Sequence, residues 1–144
     1  MLSSLFDSST LPVLEQVVTF TQARHGVLAG NIANLDTPGY KTRDLSPDVF
    51  QKRLKEAVDA RRHAAISPTY KINAELAGRD TDLGRDGMDK VRESTKSILF
   101  HDNSDVSIEQ QVAEITKNQA YHNLALNLMT AQFRLLRAAI TERA

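Results

Sequence analysis

From Asp82 the chain reads Asp-Leu-Gly-Arg-Asp-Gly-Met-Asp-Lys-Val-Arg-Glu. Asp82, Asp86, Gly87 and Glu93 fall at places 1, 5, 6 and 12 of a calcium-binding EF-hand loop, which needs carboxylate oxygens around a glycine turn. Gly84, however, stands where another oxygen ligand belongs, and Asp89 where an apolar residue does. Chance composition in a Gly- and Asp-rich stretch therefore outweighs a calcium site, and a calcium-binding module is the weakest reading of the chain. The histidines, His25, His63, His101 and His122, show no metal-ligand spacing. A lone histidine on a helical seam is more often packed than ligating. With no cysteine there is no thiolate nucleophile, disulfide frame or Cys-based zinc site. No Gly-x-Ser-x-Gly, phosphate loop or dinucleotide fingerprint is present. No acidic residue stands in an apolar context that would raise its pKa for acid–base work. The expectation is a protein that is not an enzyme, with no catalytic residue, metal, cofactor or small-molecule substrate.

With no chemistry to position, the elements themselves carry the information. The 144 residues allow one ordinary domain. Eighteen basic and eighteen acidic side chains balance, which gives no electrostatic case for nucleic acid or an anionic membrane. No apolar run is long enough to span a bilayer. Met1-Leu2-Ser3-Ser4-Leu5-Phe6-Asp7 lacks the basic and apolar regions of a cleaved signal peptide. Charge is unevenly spread: residues 41–105 hold 25 of the 36 charged side chains, whereas 27–35 and 118–133 hold none. Charge-free stretches rich in Leu, Ala, Asn and Gln predict surfaces that become covered.

The first quiet end predicts a helix from Leu11 to about Leu35, with Pro12 in its first turn. Positions 11, 14, 18, 21, 25, 28, 32 and 35 form a heptad seam, mostly apolar. Ala23, Gly26, Gly30 and Ala33 lie on the opposite face. Each glycine costs a helix about 1 kcal/mol against alanine, a cost that a closely approaching backbone would offset. Val13, Phe20 and Val27 line a third flank. A helix without a polar face is buried all round, which predicts packing between molecules. The second quiet end is an uninterrupted helix from Ser107, where Ser107 and Gln110 form a capping box. Its seam runs through Ile108, Val112, Ile115, Gln119, His122, Leu126, Met129, Phe133, Leu136 and Ile140. Off the seam, Asn118, Asn123, Asn127 and Gln132 suggest polar contacts that become covered.

Between the ends, Asp36-Thr37-Pro38-Gly39-Tyr40 predicts a type II turn. Pro47-Asp48 opens a short helix with Phe50, Leu54 and Val58 on one face. Residues 66–72 read as extended, 78–90 as a flexible loop and Ser97–His101 as a short strand.

Asn31-Ile32-Ala33-Asn34-Leu35-Asp36-Thr37-Pro38-Gly39-Tyr40-Lys41-Thr42-Arg43-Asp44 resembles the signature of the bacterial flagellar rod and hook axial proteins: an Asn-Ile-Ala-Asn helix end, then a Thr-Pro-Gly-aromatic turn. Asp36 before the turn and the Arg43-Asp44 pair after it look most like the short proximal rod members. Residues 106–119 and 133–140 resemble the C-terminal helix of the same proteins. The likeness covers roughly residues 11–60 and 104–141.

The resemblance implies a mainly α fold whose long N- and C-terminal helices form an antiparallel coiled coil, with an irregular middle holding a short helix and short extended pieces. The expected layout is an N-terminal segment (1–10), a helix (11–36), a turn and charged middle (37–104) and a second helix (105–144). It implies a structural subunit of the proximal rod of the flagellar basal body that transmits torque and lines the export channel. Expected partners are further copies, other rod proteins, the adaptor joining rod to motor (MS) ring, the ring itself and the type III export apparatus. The chain would be made in the cytoplasm, exported without a cleaved signal and seated across the periplasm. Subunit contacts are expected at Gly26, Gly30, Asn31, Asn34, Pro38, Gly39, Tyr40, Asn123, Leu126, Asn127, Met129 and Phe133. The competing reading is a coiled-coil adaptor unrelated to flagella.

Overall fold

A computed structural model describes residues 9–66, 85–101 and 107–141. In chain order they form α1 (Leu11–Ala33), β1 (Arg43–Leu45), α2 (Pro47–Ile66), α3 (Arg85–Ser97), β2 (Leu99–His101) and α4 (Ile108–Thr141). At 1.5 Å per residue, α1 is about 35 Å long and α4 about 50 Å. No described helix is long and apolar enough to cross a membrane.

Local chemistry explains the element ends. Leu11 N–H donates to Ser9 Oγ at 3.2 Å, and proline occupies the first turn of α1. Asn34 closes that helix, its amide nitrogen and backbone N–H both reaching the Gly30 carbonyl. Tyr40 N–H then donates to the Thr37 carbonyl at 3.1 Å, and Gly39 has φ +77°. That is the expected type II turn, which needs a positive φ at its third residue. Ser46 caps α2 through Val49 N–H. At α4, Gln110 N–H donates to Ser107 Oγ at 3.4 Å, one half of the expected capping box.

The apolar core lies between α1, β1, α2 and α3. Phe20, Leu45, Phe50, Ala57, Met88 and Val91 are buried there, with Val13, Val17, Val27, Leu54 and Val58 packed around them. Phe20 and Phe50 stack at 4.0 Å between ring centroids, nearly parallel. α4 packs along α1 on another side.

Several expectations change. The Val13–Phe20–Val27 flank does not wait for another molecule, because α2 and α3 of the same chain cover it. The second helix is not short: α2 has 20 residues. Residues 85–90, expected in a loop, begin α3, whose Met88, Val91, Ser94 and Thr95 form a buried stripe at helical spacing. The same helix runs through places 4 to 12 of the candidate calcium loop, so its carboxylates follow a helix rather than a ligand loop. The expected strand is β2, paired antiparallel with β1 in the register Arg43–His101, Asp44–Phe100, Leu45–Leu99. β1 itself was not foreseen. Ile66 ends α2 instead of starting an extended stretch, and the rest of 66–72 lies outside the described residues, as do 78–84.

Candidate assembly site

The face of α1 that meets α4 is polar. Arg24 is 3% exposed, and its guanidinium holds three carboxylate oxygens. Its Nε donates to Asp44 Oδ1 at 2.8 Å, and Nη2 to Asp44 Oδ2 at 2.6 Å and Glu114 Oε2 at 2.8 Å. Burial pulls the guanidinium pKa down. The hydrogen bonds and charges of Asp44 and Glu114 outweigh it, so the net shift is upward. One cation thus joins α1, β1 and α4.

Asn31, 1% exposed, is a second junction. Its Nδ2 donates to the Arg43 carbonyl at 2.6 Å and to Gln111 Oε1 at 3.2 Å. Its Oδ1 accepts from Arg43 N–H at 3.1 Å and Tyr40 O–H at 3.2 Å. Both donor protons and both lone pairs are used, the full capacity of an amide side chain. Further along, Asn118 Nδ2 donates to the Thr21 carbonyl at 2.7 Å. Thr21 Oγ1 lies 2.9 Å from His122 Nδ1 and also donates to the backbone at Val17. A hydroxyl has one proton, so the contact fits an imidazole carrying its proton on Nδ1.

These pairs run in opposite order along the two helices: Thr21 with Asn118 and His122, Arg24 with Glu114, Asn31 with Gln111. They also rotate the seam of α4. The buried line is Gln111, Asn118 and Ala125, seven residues apart, with Ile115, His122, Met129 and Leu136 half-buried beside it. The expected line of Val112, Gln119, Leu126 and Phe133 faces outward. The reason is hydrogen bonding. α1 offers Thr21, Arg24 and Asn31, whose polar groups would be costly to bury against leucine and valine.

The expected contact residues divide accordingly. Asn31, Asn34 and Tyr40 have partners within the chain. Pro38 and Gly39 are exposed in the turn. Gly26 is exposed and Gly30 half-buried; among the described residues a Cβ on either meets no atom within 4 Å, so no described segment outside α1 packs closely on them. Asn123 and Asn127 are exposed, and Asn123 accepts from Gln119 Nε2. Leu126 and Phe133 are 40% and 50% exposed, and Met129 is half-buried. Ile108, Val112, Tyr121, Leu124, Leu128, Leu135 and Ile140 are also exposed, giving α4 an apolar surface rare on a solitary protein. Among the described residues no group of metal-binding side chains occurs.

Arg24, Asp44, Gln111 and Glu114 were not singled out as site residues. A search for apolar periodicity passes over them. The visible signal was the line of amides Gln111, Asn118 and Gln132, seven and then fourteen residues apart.

A family model described as "Flagella basal body rod protein" matches residues 20–41, the segment that carries Thr21, Arg24, Asn31 and Tyr40. The chain is 26% identical over 142 residues to a Bacillus subtilis (strain 168) protein named "Flagellar basal body rod protein FlgB", covering 96% of this chain and 97% of the relative. A protein of the same name from Aquifex aeolicus (strain VF5) is 28% identical over 130 residues, 90% of this chain and 91% of its own. One from Borrelia hermsii is 27% identical over 124 residues, 81% and 84% of the two chains. No solved structure matches the chain. In its signature segment and along most of its length, the chain is thus similar to proteins named as flagellar basal-body rod proteins.

Proposed function

We propose that this chain is a structural subunit of the proximal rod and that it transmits torque from the motor ring towards the distal rod and hook. In this reading α1 and α4 are the two arms of an antiparallel coiled coil beside the export channel. Neighbouring rod subunits cover the outward apolar line of α4 and approach the open face at Gly26 and Gly30. Pro38, Gly39, Asn123, Leu126, Asn127 and Phe133, all exposed, are available to such neighbours.

The observation that carries the reading is the division of α4. Its inner line is satisfied by hydrogen bonds to α1, while its outer line leaves leucine, isoleucine and phenylalanine in water. Covering such surface is worth about 25 cal/mol per Å², which favours a packed assembly over a lone chain. Export through the type III apparatus, a position across the periplasm, and contacts with the rod–ring adaptor and MS ring belong to the same proposal.

Mass spectrometry of purified hook–basal bodies from the source cell tests it. Peptides of this chain at low copy relative to hook protein are expected. Their absence, with the intact protein found only free in the cytoplasm, would favour a coiled-coil adaptor outside the flagellum.

A further inference from the structure

A groove of about 700 Å³ opens between α1, the start of α2 and the middle of α4. Phe50 and Leu54 line one side; Tyr121, Leu124 and Leu128, each about half exposed, line the other. Its accessible charges are Asp44, Asp48, Glu114 and Lys117, while Arg24 lies beneath, buried and paired. With Arg24 holding Asp44 and Glu114, and Lys117 3.9 Å from Glu114, the groove carries three carboxylates against two cations, and Asp48 is the carboxylate that neither of these cations holds.

The last turns of α4 are the complement. Phe133, Leu135 and Ile140 are 50%, 65% and 67% exposed. Arg134 and Arg137 stand beside them, and no acidic residue occurs from Thr130 to Thr141. Phe133 and Ile140 are seven residues apart, two turns along one face. Anchors at this spacing are how a helix seats in an apolar groove, and the flanking charges set its orientation.

The occupant cannot be the chain's own tip. α4 is one continuous helix from Ile108 to Thr141, and residues 121–128 of that helix wall the groove. A continuous helix does not fold its end back onto its own middle. We infer that the α4 tip of one copy docks in the α1–α2–α4 groove of a second copy of this chain. The contact joins two different surfaces, so it is head-to-tail and can repeat along an open helical array. It deepens the proposed rod role, on which it rests, by naming the partner of two surfaces.

The chain lacks cysteine, so single cysteines report the contact directly. Full-length Ile140→Cys is mixed with full-length Gln51→Cys under mild oxidation; Gln51 lines the groove and is exposed. A mixed disulfide dimer is expected. It should fall about tenfold when Arg134→Glu and Arg137→Glu are added to the tip, because attraction to Asp48 and a net-negative rim becomes repulsion. Adding Asp48→Lys to the groove variant should recover part of the loss. All these side chains are exposed, and circular dichroism confirms that each variant keeps its helix content.

Equal cross-linking to Glu56→Cys, exposed and outside the groove, would overturn the inference. So would insensitivity to charge reversal, tip-to-tip dimers of Ile140→Cys as the main product, or no cross-link at any concentration. The rod assignment is read separately. If the chain is recovered in hook–basal bodies but gives no mixed disulfide, the head-to-tail contact falls and the assignment stands. A specific mixed disulfide with no chain in basal bodies leaves the reverse.

Discussion

Arg24 and Asp44, 20 residues apart, form a two-pronged ion pair in which Nε and Nη2 each hold one carboxylate oxygen, at 2.8 and 2.6 Å. Glu114 from α4 accepts from the same Nη2. The planar fork of arginine fits this arrangement, and the single ammonium of lysine does not. Breaking a fully buried ion pair costs about 3–5 kcal/mol. The side chains of Asp44 and Glu114 are 39% and 32% exposed and can rehydrate. Arg24→Met is therefore expected to cost about 2 kcal/mol, and Arg24→Lys about half that. Urea unfolding followed by circular dichroism measures both. Equal stability of wild type and Arg24→Met would remove the pair from the forces holding α1, β1 and α4 together. The upward shift of the Arg24 pKa keeps it charged at every ordinary pH. Stability from a raised pKa is present below the unfolded value and lost only above the folded one, here in strong alkali.

Asn31 uses both donors and both lone pairs inside the chain. Asn31→Asp keeps the shape but removes the donors to the Arg43 carbonyl and Gln111. It also places a charge where exposure is 1%. A loss of about 2–3 kcal/mol is expected. Amide exchange at Arg43 should accelerate, since its N–H is held by Asn31 Oδ1. An unchanged exchange rate at Arg43 would contradict the junction.

Two glycines should respond in opposite senses. Gly39 has φ +77°, so Gly39→Ala strains the turn by about 1–2 kcal/mol and lowers the melting temperature. Gly26 is helical with open space at its Cβ, so Gly26→Ala should raise helix stability by up to about 1 kcal/mol. If neighbours approach Gly26 in the rod, the same variant will be more stable alone yet poorly incorporated into basal bodies. Normal incorporation would leave Gly26 outside any contact.

Millimolar calcium should change neither helix content nor melting temperature. α3 carries Asp86, Gly87 and Glu93 in a continuous helix. A calcium-dependent rise in melting temperature would revive the ligand-loop reading.

Acid should loosen the start of α4. The Ser107 side chain, and then a backbone N–H, hydrogen-bond the Glu109 carboxylate and lower its pKa from the ordinary 4.5. A lowered pKa contributes stability above the unfolded value and loses it as pH falls through the folded one. Amide protection around residues 108–112 should drop over that interval, and Ser107→Ala should weaken the dependence, leaving the smaller part due to the backbone N–H. Protection that does not vary with pH in wild type would refute it.

The long terminal helices, the Thr-Pro-Gly-Tyr reversal, the α2 start at Pro47 and a strand within Ser97–His101 were legible in the sequence. Each depends on local rules: periodicity, proline and glycine geometry, a cap three residues before its partner. The likeness to flagellar rod and hook proteins was legible too, because its signature is contiguous. The inner face of α4 was not. An apolar-period search chooses Val112, Gln119 and Leu126. The structure buries Gln111, Asn118 and Ala125, one residue earlier in each heptad. That choice depends on what α1 presents across the seam, and hydrogen-bond partners 80 to 97 residues away leave no mark in a local pattern. β1 and α3 were missed for the same reason. Three residues of strand need a partner to exist, and the stripe of α3 has meaning only against Phe20, Phe50 and Leu45. The sequence by itself thus determined which segments become helices and which family they resemble. Only tertiary packing decided which sides of those helices face each other and which apolar line is left for a neighbour, since burying a polar group depends on the partner that satisfies it.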